Sequence, residues 1–191
     1  MGARAIKNKF KDKIINMPTQ NLLKEFEKIK AQDLIHLLFS AISSSNQQEK
    51  QHAVKAFGPT MARLAEKDME AARIVMRRFM WMLNDESGGI GWGVPEAFAE
   101  TLANHKGLAE EYTHILVSFM REDGFFLELE SLQQGLMWGL NRLAEVEPDL
   151  LLQKNADKYL ISYLYSKDPT VRKSAGKALA KLDSILDQLA A

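Results

Sequence analysis

The sequence predicts an all-α protein, an α-solenoid of about four stacked helical hairpins behind an N-terminal capping helix. Three observations lead there. Apolar residues recur at helical spacing along nearly the whole chain. Strand signals are missing, with neither hairpin dipeptides nor sustained alternation of apolar and polar residues. A pattern of small and large apolar residues returns at separations of 41, 42 and 39 residues, the kind of period that marks stacked units. The length of 191 residues suits a single domain spanning 1–191 with a real core.

The N-terminal segment MGARAIKNKFKDKIINM is basic and places Ile6, Phe10 and Ile14 four residues apart. It lacks the apolar centre of a secretory signal. Gly2 is followed by Ile at position 6, where a myristoylation motif needs Ser or Thr. An amphipathic helix packed on the end of the domain is expected, with a membrane-surface helix as the alternative. No run of about 18 apolar residues is present to span a bilayer.

The next helical faces are Leu22, Leu23, Phe26 and Ile29, then Leu34, Leu37, Leu38 and Ile42. Asn46 with Glu49 three residues later reads as a capping box, opening a helix to about Leu64. Met69 to Leu83 follows, rich in Met and Arg, with Trp81 expected in the core. Further helices are expected over Leu108–Met120, Leu127–Val146 and Leu150–Tyr165. Asp168-Pro169, an N-cap followed by Pro at the first helical position, starts the last one.

The repeat is anchored on Phe57, Phe98, Leu140 and Leu179. A small residue precedes each anchor: Ala56, Ala97, Gly139 and Ala178. Four residues before each stand Ala53, Val94, Leu136 and Ala175. Small residues in this register let helix axes approach, as stacked hairpins require.

The segment from Asp168 through Val171-Arg172, Ala175 and Ala178-Leu179-Ala180 resembles the second helix of a HEAT-type repeat. The match is good in the last repeat. Elsewhere the Asp and Arg positions become Asn46 and Lys50, Ser87 and Gly91, and Leu129 and Gln133, so most of the family's Asp–Arg ladder is missing. The stretch LNDESGGIGWGVPEA is also similar to one in small bacterial HEAT-repeat proteins, a resemblance that implies a fold and no activity. It implies a right-handed superhelix whose second helices line a concave surface.

The glycine-rich part of that stretch, from Ser87 to Gly93, reads either as a tight corner between repeats or as a ligand loop. An irregular turn through about Gly91, followed by helix, reconciles Pro95 with the buried register of Val94, Ala97 and Phe98. Gly89 and Gly93, four apart, are expected on one side against a neighbouring helix. The glycine spacing and the absence of a following Lys-Ser/Thr do not fit a phosphate loop.

Positions six and two before each anchor, and two after it, are expected to point outward. They give Gln51, Lys55 and Pro59; Trp92, Glu96 and Glu100; Gln134, Trp138 and Arg142; and Lys173, Lys177 and Lys181. On a concave surface this makes a groove with two tryptophans near its middle and lysines at one end. Exposed aromatics beside charges suit a partner-binding face. The alternative buries Trp92 and Trp138 between repeats.

Composition narrows the function further. Lys+Arg and Asp+Glu number 25 each, which disfavours a dedicated nucleic-acid binder. With 0 cysteines, disulfides and thiol chemistry are excluded, and a cytoplasmic location is expected. His36, His52, His105 and His114 show no metal-ligand spacing, and none is followed by Glu, unlike the HEAT-type iron hydroxylases. Glu96 and Glu100, one turn apart, could share a cation, but ordinary surface glutamates explain them better. No catalytic grouping, metal site, cofactor or membrane partner is expected. The expected function is a non-enzymatic module binding a protein or peptide through Trp92, Glu96, Glu100, Trp138, Arg142 and Lys177. A nucleic-acid binder similar to the HEAT-like DNA alkylation-repair glycosylases is the alternative, and nothing selects the tetrapyrrole of HEAT-like bilin lyases.

Overall fold

Four helices form a continuous inner row, and they are the four that carry the repeat anchors. In the computed structural model, which describes residues 3–84 and 91–190, α4 (Gln47–Lys67) packs on α6 (Val94–Asn104). Helix α6 packs on α8 (Glu130–Leu143), and α8 on α11 (Pro169–Ala190). The reason lies in the repeat register. Ala53, Val94, Leu136 and Ala175 are fully buried, as are Ala56, Ala97, Ala178 and the anchors Phe57, Phe98 and Leu140. Leu179 is half-buried, with Leu182 completing the core at that end.

Glycine sets the spacing of this row. A Cβ on Gly139 would stand 2.5 Å from the Ala99 Cβ, so α6 and α8 meet there without a side chain between them. A Cβ on Gly58 would lie 2.7 Å from the Glu100 carbonyl oxygen and overlap Asn104, which fixes the α4–α6 approach.

The remaining helices make an outer layer and an N-terminal cap. Helix α3 (Ala31–Ile42) pairs with α4, and α5 (Met69–Leu83) packs on α4 and α6. Helix α7 (Lys106–Ser118) packs on α6 and on the short α9 (Pro148–Gln153), while α10 (Ala156–Tyr163) lies on α11. Helix α1 (Ala3–Asn16) rests on α3 and α4, with Ile14 fully buried. Phe10 stacks on Phe26 of α2 (Thr19–Glu27) at 5.3 Å. Arg63 of α4 donates to the carbonyls of Phe26, Glu27 and Ile29, satisfying the open C-terminal end of α2 with a cation. Between the layers runs a row of rings, Phe39–Phe57–Phe79–Phe98–Phe119, each 5.1–6.0 Å from the next.

Helix starts follow the expected chemistry, with one rearrangement. The Asn46 side chain accepts from the Glu49 amide at 3.0 Å, as a cap should. The Glu49 carboxylate does not return to the Asn46 amide. It takes the Ser44 hydroxyl at 2.6 Å, and Ser44 Oγ accepts from the Asn46 amide instead. Asp168 accepts from the Thr170 and Val171 amides at 2.7 and 3.0 Å ahead of Pro169. Asp68 caps α5 in the same way, and His105 Nδ1 accepts from the Leu108 amide to start α7.

The structure corrects several expectations. The segment over 150–165 is not one helix: Asn155 takes a left-handed conformation (φ 55°) and divides α9 from α10. Helix α8 covers less than Leu127–Val146, because Phe119 to Leu129 form a connecting segment closed by Leu127 donating to the Phe119 carbonyl. Trp81 is 66% exposed rather than in the core. It shares a face with Ile74, Arg77 and Arg78, while Ala72, Met76 and Phe79 take the buried side. Gly91 to Gly93 form a turn and α6 begins at Val94, so Trp92 precedes the helix instead of lying on it. Gly93 must be glycine: its φ is 74°, and a Cβ there would lie 2.5 Å from the Ile42 carbonyl oxygen. Gly89, expected beside Gly93, and the rest of the glycine-rich stretch from Ser87 to residue 90 lie outside the described residues.

Candidate binding groove

The open face of the inner row holds a groove of about 430 Å³ with contributions from all four helices. Gln47, Lys50, Gln51, Val54 and Lys55 of α4 form one wall. Glu96 of α6 and Ser131, Gln134, Gly135 and Trp138 of α8 form the floor, and Thr170 of α11 marks the opposite wall.

Each floor group has a physical cause for its position. Trp138 is half-buried and packs against the core, leaving part of its ring to the groove. Glu96 lies across α8 because Gly135 has no side chain; a Cβ there would overlap the carboxylate. Lys50 Nζ then meets Glu96 Oε1 at 3.1 Å, with both side chains largely covered. Gln134 donates to Asp168 at 2.6 Å, tying α8 to the cap of α11. That bond, with the two backbone amides, holds the Asp168 carboxyl below its ordinary range.

Farther along the same face a second pair crosses the row. Arg142 Nε donates to Glu100 Oε2 at 3.0 Å, and Asn104 donates to Glu100 Oε1 at 3.1 Å. One step on, Lys181 of α11 reaches Glu145, in the turn just after α8, at 2.6 Å and the Asn141 side-chain oxygen of α8 at 2.7 Å. The Lys181 hydrogen bond holds the Glu145 carboxyl below its ordinary range. A ladder therefore links α4 to α6, α6 to α8 and α8 to α11. It occupies positions other than the Asp and Arg positions of the resembled repeat. The signal for one rung was available: Glu100 and Arg142 are opposite charges at the same register of adjacent repeats.

The six expected binding residues separate on this basis. Glu96 and Trp138 come together in the groove. Glu100 is only 8% exposed, a correction to its outward assignment: the next inner helix covers it, and Arg142 and Asn104 engage it. Arg142 is accordingly a cross-helix partner, beyond the residues that line the groove. Lys177 is exposed on α11, and Trp92 is 41% exposed in the turn before α6; neither lines the groove itself.

Two other concavities are already committed to internal contacts. Beside α10, Arg121 pairs with Asp123 at 2.6 Å and lies 5.2 Å from the Tyr159 ring centre. Tyr163 donates to the Met120 carbonyl there, and burial pushes its phenol up to about 12. Between α3 and α5, Arg78 sits 3.8 Å over the Phe39 ring. Among the described residues no group of three or more metal-ligating side chains occurs, and no helix is long and apolar enough to cross a membrane.

Solved structures share the helical fold at low identity. One engineered protein is 17% identical with a TM-score of 0.57, covering 98% of this chain and 80% of its own. A second is 14% identical with a TM-score of 0.53, covering 96% and 94%. A designed armadillo repeat protein is 11% identical with a TM-score of 0.47, covering 95% and 94%. No family model matches the chain, and no curated protein does.

Proposed function

We propose that this chain is a HEAT-like repeat module of one domain, 1–191, that binds a protein segment along its inner row in the cytoplasm, without catalysis or a cofactor. The observation that carries this is the groove. Four successive helices line it, its floor offers an aromatic face at Trp138, and its rim offers the amides of Gln47 and Gln51. Such amides can pair with peptide groups, and a half-exposed aromatic gives contact area at small entropic cost. Trp138 and Glu96 contact the segment directly. Arg142 and Glu100 hold the shape of the floor, and Trp92 and Lys177 extend contact beyond it. An open, water-filled surface suits binding better than water-sensitive chemistry.

Selection from a displayed library of random peptides tests the reading. Enriched sequences are expected to converge on a motif. Their binding should weaken about tenfold or more in Trp138→Ala or Gln51→Arg. It should be unaffected by Trp81→Ala on the outer layer. Binding lost with Trp81→Ala and kept in both groove variants would move the function to the other face.

A further inference from the structure

The charges around the groove are unequal in a way that selects its occupant. Among the described residues Glu96, Glu100 and Glu145 are each ion-paired, to Lys50, Arg142 and Lys181, and Asp168 is held by Gln134 and two backbone amides. The cations are not all matched. Lys55 on the α4 wall has no ion pair among the described residues, and neither do Lys173 and Lys177 on α11. All three are exposed.

Both α11 lysines belong to the groove side of that helix. Thr170 lines the groove, and Lys181 bonds to Asn141 on α8 and to Glu145 just beyond it. Lys173 and Lys177 fall between them at spacings of three and four, on the same stripe. Free positive charge thus stands on both walls, with Trp138 in the floor and neutral amides along one rim.

Resting on the reading of a protein-binding groove, we propose that the occupant is an acidic, extended segment carrying an apolar or aromatic residue. The apolar residue covers Trp138. Carboxylates to one side reach Lys55, and those to the other reach Lys173 and Lys177. Alternate side chains of an extended segment point to opposite sides, so one strand can serve a wall and the floor together. Glutamine amides along Gln47 and Gln51 take its main-chain groups. A nucleic-acid strand fits less well. Three unmatched lysines neutralise few of its phosphates.

Fluorescence anisotropy tests this with labelled peptides of one length and one central Trp: a Glu-rich one, a Gln-rich one and a Lys-rich one, alongside oligothymidylate. The Glu-rich peptide is expected to bind about tenfold or more tighter than the Gln-rich one, and to weaken as salt rises. Charge reversal in Lys55→Glu/Lys177→Glu should remove that preference and favour the Lys-rich peptide. Both sites are exposed, so melting should be unchanged. Equal binding of Glu-rich and Gln-rich peptides, lost in Trp138→Ala, overturns the acidic occupant and leaves the groove reading standing. Binding of none of the peptides overturns both. Oligothymidylate binding tighter than the Glu-rich peptide, through the same lysines, assigns the face to nucleic acid.

Discussion

The α6–α8 and α8–α11 junctions join the same kind of helix by different means. At the first, Gly139 brings the backbone of α8 against Ala99, and the Arg142–Glu100 pair is largely covered, with side-chain exposures of 28% and 10%. At the second, Gly176 of α11 does not meet α8: it faces Leu164 at the end of α10, where a Cβ would lie at an ordinary 3.7 Å. The cross-link is Lys181–Glu145, with side chains 33% and 44% exposed. Both junctions share apolar packing, but the middle of the row adds a glycine contact and a covered ion pair, whereas the C-terminal end adds polar links more open to solvent and salt.

The largest effect expected from this contrast is one of opposite sign. Gly139→Ala drives a methyl group into Ala99 and the Pro95 carbonyl, neither of which can rotate away, and should destabilise by about 2 kcal/mol or more. Gly176→Ala meets no obstacle and replaces the poorer helix former, so it should stabilise by about 0.5–1 kcal/mol. Denaturant unfolding of both variants decides it; two destabilisations of equal size would remove the contrast.

A smaller effect compares the ion pairs. A double-mutant cycle on Arg142 and Glu100, using Arg142→Ala and Glu100→Gln, should return a coupling of about 2 kcal/mol, since removing one partner strands a buried group. The same cycle on Lys181 and Glu145 should return about 0.5 kcal/mol and shrink in high salt. Comparable couplings with equal salt sensitivity would show that burial does not separate the junctions.

The smallest effect is in acid. Glu145 and Asp168, both at the α8–α11 junction, have carboxyls held below their ordinary values, by Lys181 and by Gln134 respectively. The unfolded chain therefore binds more protons than the folded one in mild acid. Their contribution is complete above about pH 5 and is lost as pH falls through about 4 and lower. Melting curves of the native chain and Glu145→Gln should differ at neutral pH and draw together as pH falls below the ordinary carboxylate range. A gap that persists in acid would assign the difference to packing.

Much of the row was legible because its signal is periodic and steric. Ala53, Val94, Leu136 and Ala175 are small or apolar at one register, and any stacked arrangement must bury them. The caps at Asn46 and Asp168 were legible because they act within three residues. The break at Asn155 was not, since neither Gly nor Pro marks it and the left-handed turn depends on α9 and α10 each finding a place on α11. Trp81 misled through its size; its phase with Arg77 and Arg78 already placed it outward. In the groove, Trp138 and Glu96 followed from register. Lys50 did not, because its reach to Glu96 depends on the space above Gly135 in a third helix.

The row of phenylalanine rings bears on how the molecule comes apart. Arrays of weakly coupled repeats can fray from one end, each unit melting by itself. Here Phe57, Phe79, Phe98 and Phe119 belong to successive elements, and each ring packs on the next. Loosening any one ring uncovers its neighbours, so the central elements should lose order together, and heat should produce a single sharp transition in place of a staircase.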